Sequence, residues 1–485
     1  MSERLISLDV FRGMTIAGMV LVNNPGTSPV YWPLEHAEWH GLTPTDWIFP
    51  FFLFIVGTAI PMALGRYRSQ PGAVATGSPR TSPYSKIITR SISIYLLGAA
   101  ISVLPFFQFT TSDAPDPLKL IVWLLWAAAL FFLLLRNSKL AGILAAVAMF
   151  GIAGMNLAGY NVVGYDFSTM RVMGVLQRIA VCYLAASLIY LHTNWRQQIY
   201  IAAALLVGYW VLMTAVPVPG CEITTIDDKA CNLAAYLDRL ILTENHIWRF
   251  GKVYDPEGLL STIPAIATTS SGVLAGAWLQ MGFPPQRRRD AEKSEEAKPS
   301  PADEGRVAAA PLLPEEGWQP LRLTGWWEDG VVLSLRNYKV AAIFFTGTIL
   351  LALGFIWNSF FPMNKSLWTS SYVLATTGLA LLVFGCCYWL VDIKGYTRWA
   401  WPFKVLGANA LALFVFSGIF ARMISAYKIA GPEGKLISAQ KWLVDSLFLQ
   451  LFQPINASLA YAISFILFWL FLMWLLYRKS AYVKV

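Results

Sequence analysis

The chain has 485 residues, of which 56% are hydrophobic and only 13% charged, with a mean hydropathy of +0.53. A soluble domain usually carries about a quarter charged residues, so this composition excludes an ordinary soluble enzyme and predicts an all-α integral membrane protein. The net charge of +9 does not point to nucleic acid, because no nucleic-acid motif is present and the basic residues gather in alternate loops.

Apolar runs long enough to cross ~30 Å of hydrocarbon recur from end to end. They predict a polytopic bundle of about twelve transmembrane helices. The expected spans are 6–23, 45–64, 87–107, 118–135, 140–158, 172–191, 198–216, 258–280, 338–357, 368–391, 402–424 and 454–477. Only Met1–Arg4 precede the first run, which itself holds Asp9 and Arg12, and no small-residue cleavage site follows. An uncleaved first span is therefore expected.

The loops sort by charge. Arg66, Arg68, Arg80 and Lys86 follow the second span without an acid. Arg136, Lys139, Arg196, Arg287–Arg289, Lys394, Arg398, Arg478 and Lys479 fall on the same side. Opposite loops carry Glu35, Glu38, Asp113 and Asp116, and 217–257 has seven acids against four bases. This asymmetry predicts cytoplasmic N- and C-termini. Three regions are expected: residues 1–281 with eight helices and a catalytic first outer loop, a flexible cytoplasmic linker at 282–335, and residues 336–485 with four helices. The linker stretch is rich in charge, Ala and Pro, a composition that does not build a core. Cys221 and Cys231 share one outer loop; outside the cytoplasm such a pair can form a disulfide, although spacing alone does not fix the geometry.

The chemistry-bearing stretch is the first outer loop. It runs from Val22-Asn23-Asn24-Pro25-Gly26 through Glu35-His36-Ala37-Glu38-Trp39-His40-Gly41 to Thr43-Pro44-Thr45-Asp46. Two of the chain's four histidines lie in it. Acyl transfer to an amine needs a group that takes the amine proton, and histidine, with an ordinary pKa of about 6.5, suits that task. Histidine can also carry the acyl group itself. His36 or His40, oriented by Asp46, satisfies either scheme. Asn23 and the Pro25-Gly26 turn offer donors to a developing oxyanion. The pair could instead bind a metal, but the loop lacks the helical spacing of zinc enzymes. Asp46 at a helix start also fits a simple dipole role.

Charges inside apolar runs need partners. Asp9 and Arg12 share one helix face. Arg178, in Val175-Leu176-Gln177-Arg178, should meet a carboxylate or a ligand phosphate. Asp255 and Glu257 open the eighth span, where they could bind an amino sugar or cap the helix.

These residues resemble a known family. Leu8-Asp9-Val10-Phe11-Arg12-Gly13, Asn23-Asn24-Pro25-Gly26, His36–Asp46 and Phe49-Pro50-Phe51-Phe52 look like motifs of the heparan-α-glucosaminide N-acetyltransferases, in the bacterial branch of these transmembrane acyltransferases. Gly174–Ala180, Tyr254–Ser261, Asn364–Ser370 and Leu406–Ala410 resemble further family motifs in the same order. The resemblance implies transfer of acetyl from cytoplasmic acetyl-CoA to the amine of a glucosamine-type sugar on the far side. It makes His36 catalytic with Asn23 and Asp46, His40 auxiliary, and no metal necessary. His40, Glu38, Asp255 and Glu257 are then expected around the sugar, and Arg12, Arg66, Lys86, Arg90 and Arg178 around the CoA phosphates. The implied partners are acetyl-CoA, an amino-sugar acceptor and membrane lipid, with a homodimer allowed and no nucleic acid. The implied location is a bacterial inner membrane. The 118–158 hairpin looks extra relative to lysosomal members and is not expected to touch the centre. The competing reading is a proton-coupled transporter or flippase for an amino sugar or glycolipid, with His and Asp as relay.

Overall fold

In a computed structural model, the structure describes residues 5–68, 82–280, 325–431 and 434–483. The long apolar runs become helices because backbone groups in hydrocarbon must be satisfied within their own segment. In chain order they are α1 Ile6–Asn23, α2 Ile48–Arg68, α3 Pro83–Val103, α4 Asp116–Leu134, α5 Ser138–Leu157, α6 Val175–His192 and α7 Trp195–Ala215. There follow α8 Leu233–Leu242, α9 Thr262–Gln280, α10 Gly325–Asn358, α11 Ser370–Cys387, α12 Trp401–Ala408, α13 Ala410–Ala426 and α14 Pro454–Arg478. Among the described residues the only strands are a short hairpin, Lys428–Ala430 against Leu436–Ser438. The protein is a multi-pass all-α membrane protein.

Among the described residues ten helices are long and apolar enough to span a membrane, eleven if one bent pair counts as a span. Two of the twelve expected spans differ in character. The expected 402–424 span is broken, α12 and α13 meeting at 80°. Asn409 sits at the break, donating to the Ala481 carbonyl at 3.0 Å and accepting the Val483 N–H at 3.0 Å. It thereby holds the C-terminal tail against the bend. The expected 258–280 span becomes α9, which falls outside the ten because it is rich in Thr and Ser. Thr269 and Ser271 donate back to the Ala265 and Ala267 carbonyls at 3.2 and 2.9 Å, so these hydroxyls stay satisfied inside an apolar bundle.

Helix α9 lies against α2 at very short range. A Cβ on Gly57 would stand 1.9 Å from the Thr269 carbonyl oxygen. Helices α1 and α12 cross just as closely, where a Cβ on Gly13 would stand 1.8 Å from the Phe403 carbonyl oxygen. Small residues at helix crossings allow such approach, and both crossings set the walls of the site described below. The expected linker, 282–335, lies outside the described residues as far as 324. From Gly325 the chain is already helical.

Candidate active site

The site is built first from a local motif. Between α1 and α2 the chain forms a 3-10 turn, Pro44–Trp47, capped by Thr43 and Asp46 in a reciprocal capping box. Its Asp46 side chain is 1% exposed. One carboxylate oxygen accepts the N–H groups of Ala37 at 3.2 Å and Thr43 at 3.1 Å. The other meets His36 Nδ1 at 2.7 Å. A carboxylate can only accept, so Nδ1 carries a ring proton, and in the neutral ring Nε2 is the nitrogen with the lone pair. His36 is half exposed and faces a cavity.

A second segment, 359–369, meets this loop from the far end of the chain. The Gly41 N–H donates to the Met363 carbonyl at 2.8 Å, and Asn364 accepts the Leu367 N–H at 2.9 Å. This brings Lys365 Nζ within 3.0 Å of His36 Nδ1, 3.2 Å of Nε2 and 3.6 Å of Asp46. Burial holds the Lys365 ammonium below the ordinary lysine range, opposed by Asp46 and Glu257.

A third group comes from before α6 and α9. Arg171 bridges two carboxylates, donating through Nε to Asp255 at 2.9 Å and through Nη2 to Asp255 and Glu257. Burial alone would raise the pKa of Glu257, but Arg171, Arg178 and Lys365 hold it below the usual range. Trp39 packs edge-on against Tyr254 at 5.1 Å between centroids, and Trp248 against Tyr254 at 6.0 Å.

All three groups border one cavity of about 900 Å³. From His36, Glu38, Trp39, Tyr254, Glu257 and Lys365 it follows a stripe of α2 that includes Ile48, Phe52, Ile55, Ala59 and Ala63. At 1.5 Å rise per residue, that stripe is about 22 Å long. Arg12, Arg90, Arg136 and Asn409 also line it.

The expected residues therefore divide. His36, Asp46, Asn23, Glu38, Glu257, Arg12 and Arg90 border the cavity. Arg12 also reaches Asp9 at 3.3 Å, as expected from their spacing. His40 is not a wall residue. Its Nε2 meets Asp227 at 2.9 Å, beside a Trp39 indole donating to the Ile226 carbonyl at 2.9 Å. The disulfide Cys221–Cys231 closes the loop carrying both partners. Asp255 sits buried behind Glu257, occupied by Arg171. Lys86 points to the Tyr67 hydroxyl at 2.8 Å instead of the cavity. The Arg66 side chain lies outside the described residues.

Arg178 corrects a sequence expectation. It is fully buried, donates to the Gly258 carbonyl at 3.2 Å and to Ser261, and stacks 5.0 Å over Trp368. It anchors the 258–261 segment and is not among the residues that line the cavity. The turn of the 118–158 hairpin places Arg136 on the wall of the same cavity. Arg171, Lys365 and Asn409 carried no site role in the sequence reading. Among the described residues no cluster of three or more His, Cys, Asp or Glu side chains could hold a metal ion.

A family model for the catalytic region of heparan-alpha-glucosaminide N-acetyltransferase matches residues 4–162, which take in the His36–Asp46 loop and the hairpin. The heparan-alpha-glucosaminide N-acetyltransferase of Homo sapiens is 26% identical over 440 residues, covering 86% of this chain and 53% of that protein. That of Mus musculus is 25% identical over 436 residues, covering 85% and 53%. The chain spans about half the length of the curated relatives it matches. The chain is thus similar to the heparan-α-glucosaminide N-acetyltransferases, in the matched catalytic region and at about a quarter identity across most of its length.

Proposed function

We propose that the protein is a transmembrane N-acetyltransferase. It takes acetyl from cytoplasmic acetyl-CoA and places it on the amine of a glucosamine-type sugar at the outer face of a bacterial inner membrane. The observation that carries this reading is the single cavity that joins three arginines to the His36–Asp46 pair. Anionic phosphates favour arginine, whose planar fork binds them in pairs of hydrogen bonds. The apolar α2 stripe suits a thin acyl-carrying arm. At the other end, rings of Trp39 and Tyr254 stand beside Glu257 and Lys365, a surface suited to a polar ring with an apolar face.

The chemistry follows from the histidine. With Nδ1–H held by Asp46, the Nε2 lone pair either attacks the thioester carbon or removes a proton from the amine. In the first route the C–S bond breaks, the thiolate takes a proton, and acetyl-imidazole passes its acyl group to the amine. In the second, the neutral amine attacks directly. Both routes give amide, free CoA thiol and one proton from an ammonium acceptor. Asn23, which lines the same cavity, would donate to the acyl oxygen. Fold-level kinship does not fix an acceptor, so a glucosamine-type amine is the substrate class assigned.

The test is purified protein in liposomes, given labelled acetyl-CoA on one side and glucosamine on the other. Labelled N-acetylglucosamine is expected, and none from His36→Ala protein of unchanged thermal stability. Passage of unmodified sugar with no acetylated product would replace the enzyme reading by the transport reading.

A further inference from the structure

His36 has two charged neighbours of opposite sign, and they pull its protonation in opposite directions. Asp46, at 2.7 Å from Nδ1 and almost wholly buried, orients the ring but also stabilises an imidazolium. An imidazolium has no lone pair for a thioester or an ammonium proton. A motif of His and Asp alone would therefore gain orientation at the expense of reactive base. Lys365 brings its ammonium to 3.2 Å from Nε2 and 3.0 Å from Nδ1, with its side chain only 25% exposed.

We propose that Lys365 is a positioning residue that keeps His36 unprotonated, by holding a positive charge against the ring that Asp46 orients. The proposal rests on His36 being the reacting group, as given above. Its magnitude is large on this geometry. Two like charges about 3 Å apart repel strongly even where the effective dielectric is well above that of a dry interior. Two carboxylates favour the charged ammonium against its burial: Asp46 at 3.6 Å, and Glu257, which acts on it electrostatically. Other charges facing His36 do not replace it. Glu38, on its own loop, is exposed. Arg171, from the segment before α6, is already bridged to Asp255 and Glu257.

The arrangement also explains why the cation is a lysine from a distant segment. An arginine fork would seek the Asp46 carboxylate bidentately and compete with His36 Nδ1. A single ammonium can sit against the ring while Asp46 keeps its bond to the imidazole.

The measurement is the protonation midpoint of His36 itself, read by NMR of histidine-labelled full-length protein in detergent, its signal assigned by loss in His36→Ala. Lys365→Met is expected to raise that midpoint by about one pH unit or more. Lys365→Gln, which keeps a donor without the charge, is expected to raise it equally; should the Met variant not fold, the Gln variant decides alone. Lys365→Arg, which keeps the positive charge, is expected not to raise the midpoint. A His36 midpoint unchanged in folded Gln or Met protein overturns the proposal. The acid limb of the pH–rate profile should move with the midpoint. Because the titration needs no turnover, an inactive unaltered protein would defeat the proposed function while leaving the Lys365 result to stand or fall separately.

Discussion

Asp46→Asn is the sharpest perturbation of the site, because the two residues have nearly the same shape and opposite hydrogen-bonding demands. The buried carboxylate accepts two backbone N–H groups, Ala37 at 3.2 Å and Thr43 at 3.1 Å, on one oxygen and His36 Nδ1 at 2.7 Å on the other. An amide has one acceptor oxygen. Turning it toward His36 leaves two buried N–H groups facing an NH₂, at about 1–3 kcal/mol each. The amide will therefore keep its oxygen on the backbone and point its NH₂ at Nδ1. His36 must then accept there, which moves the ring proton to Nε2, the atom that needs a lone pair. A wrong tautomer of this kind costs about 10⁴ in kcat in a triad enzyme, or roughly 5.5 kcal/mol in barrier. The assay is the initial rate of acetyl transfer to glucosamine at saturating levels of both substrates, with thermal unfolding in detergent as control. A folded Asp46→Asn protein retaining more than about a tenth of kcat would refute the tautomer argument.

Two further outcomes follow from the charged groups. Arg171→Met strands two buried carboxylates, and removal of one partner from a buried ion pair typically costs about 3–5 kcal/mol. In the native protein Glu257 titrates below its usual range, so its stabilisation is present above the unfolded pKa and is lost as pH falls through the folded one. In the variant both carboxylates titrate above their unfolded values, and their penalty grows as pH rises. The stability gap from the unaltered protein should thus narrow between pH 8 and pH 5, and a constant gap in thermal unfolding would count against the shared-cation account. Arg90→Gln and Arg136→Gln should each raise KM for acetyl-CoA by about tenfold with kcat little changed, a loss of roughly 1.4 kcal/mol that added salt diminishes. Unchanged KM in both would place the nucleotide elsewhere.

What was legible in the sequence was what is local. His36 and Asp46 are ten positions apart, and a capping turn predicts their meeting. The membrane helices followed from apolar length alone. Lys365 stands 329 positions from His36 and Arg171 86 from Glu257, so nothing in either local pattern pairs them. The Asn364–Ser370 stretch stood out as a motif, but its lysine has no chemistry until the 359–369 segment packs on the outer loop. The break at Asn409 was hidden because apolar residues continue on both sides of it. Arg178 was legible as a buried cation and was expected to meet a carboxylate or a phosphate; that it donates to the Gly258 carbonyl and Ser261 depended on where the 258–261 segment lies.

The division between local and distant residues bears on how such a site works. A His–Asp pair held by its own turn fixes geometry without help from the rest of the bundle. Its electrostatics, by contrast, depend on segments that arrive from α6, α9 and the loop before α11. Lys365 touches the His36–Asp46 pair directly and couples electrostatically to Glu257, which Arg171 ties to Asp255. A shift of any one of these segments would change the charge against His36 before it moved His36 itself. On the proposed reading, the three arginines and the aromatic mouth select the two substrates. Whether the imidazole can react is decided separately, by the seating of one ammonium 3.2 Å from Nε2.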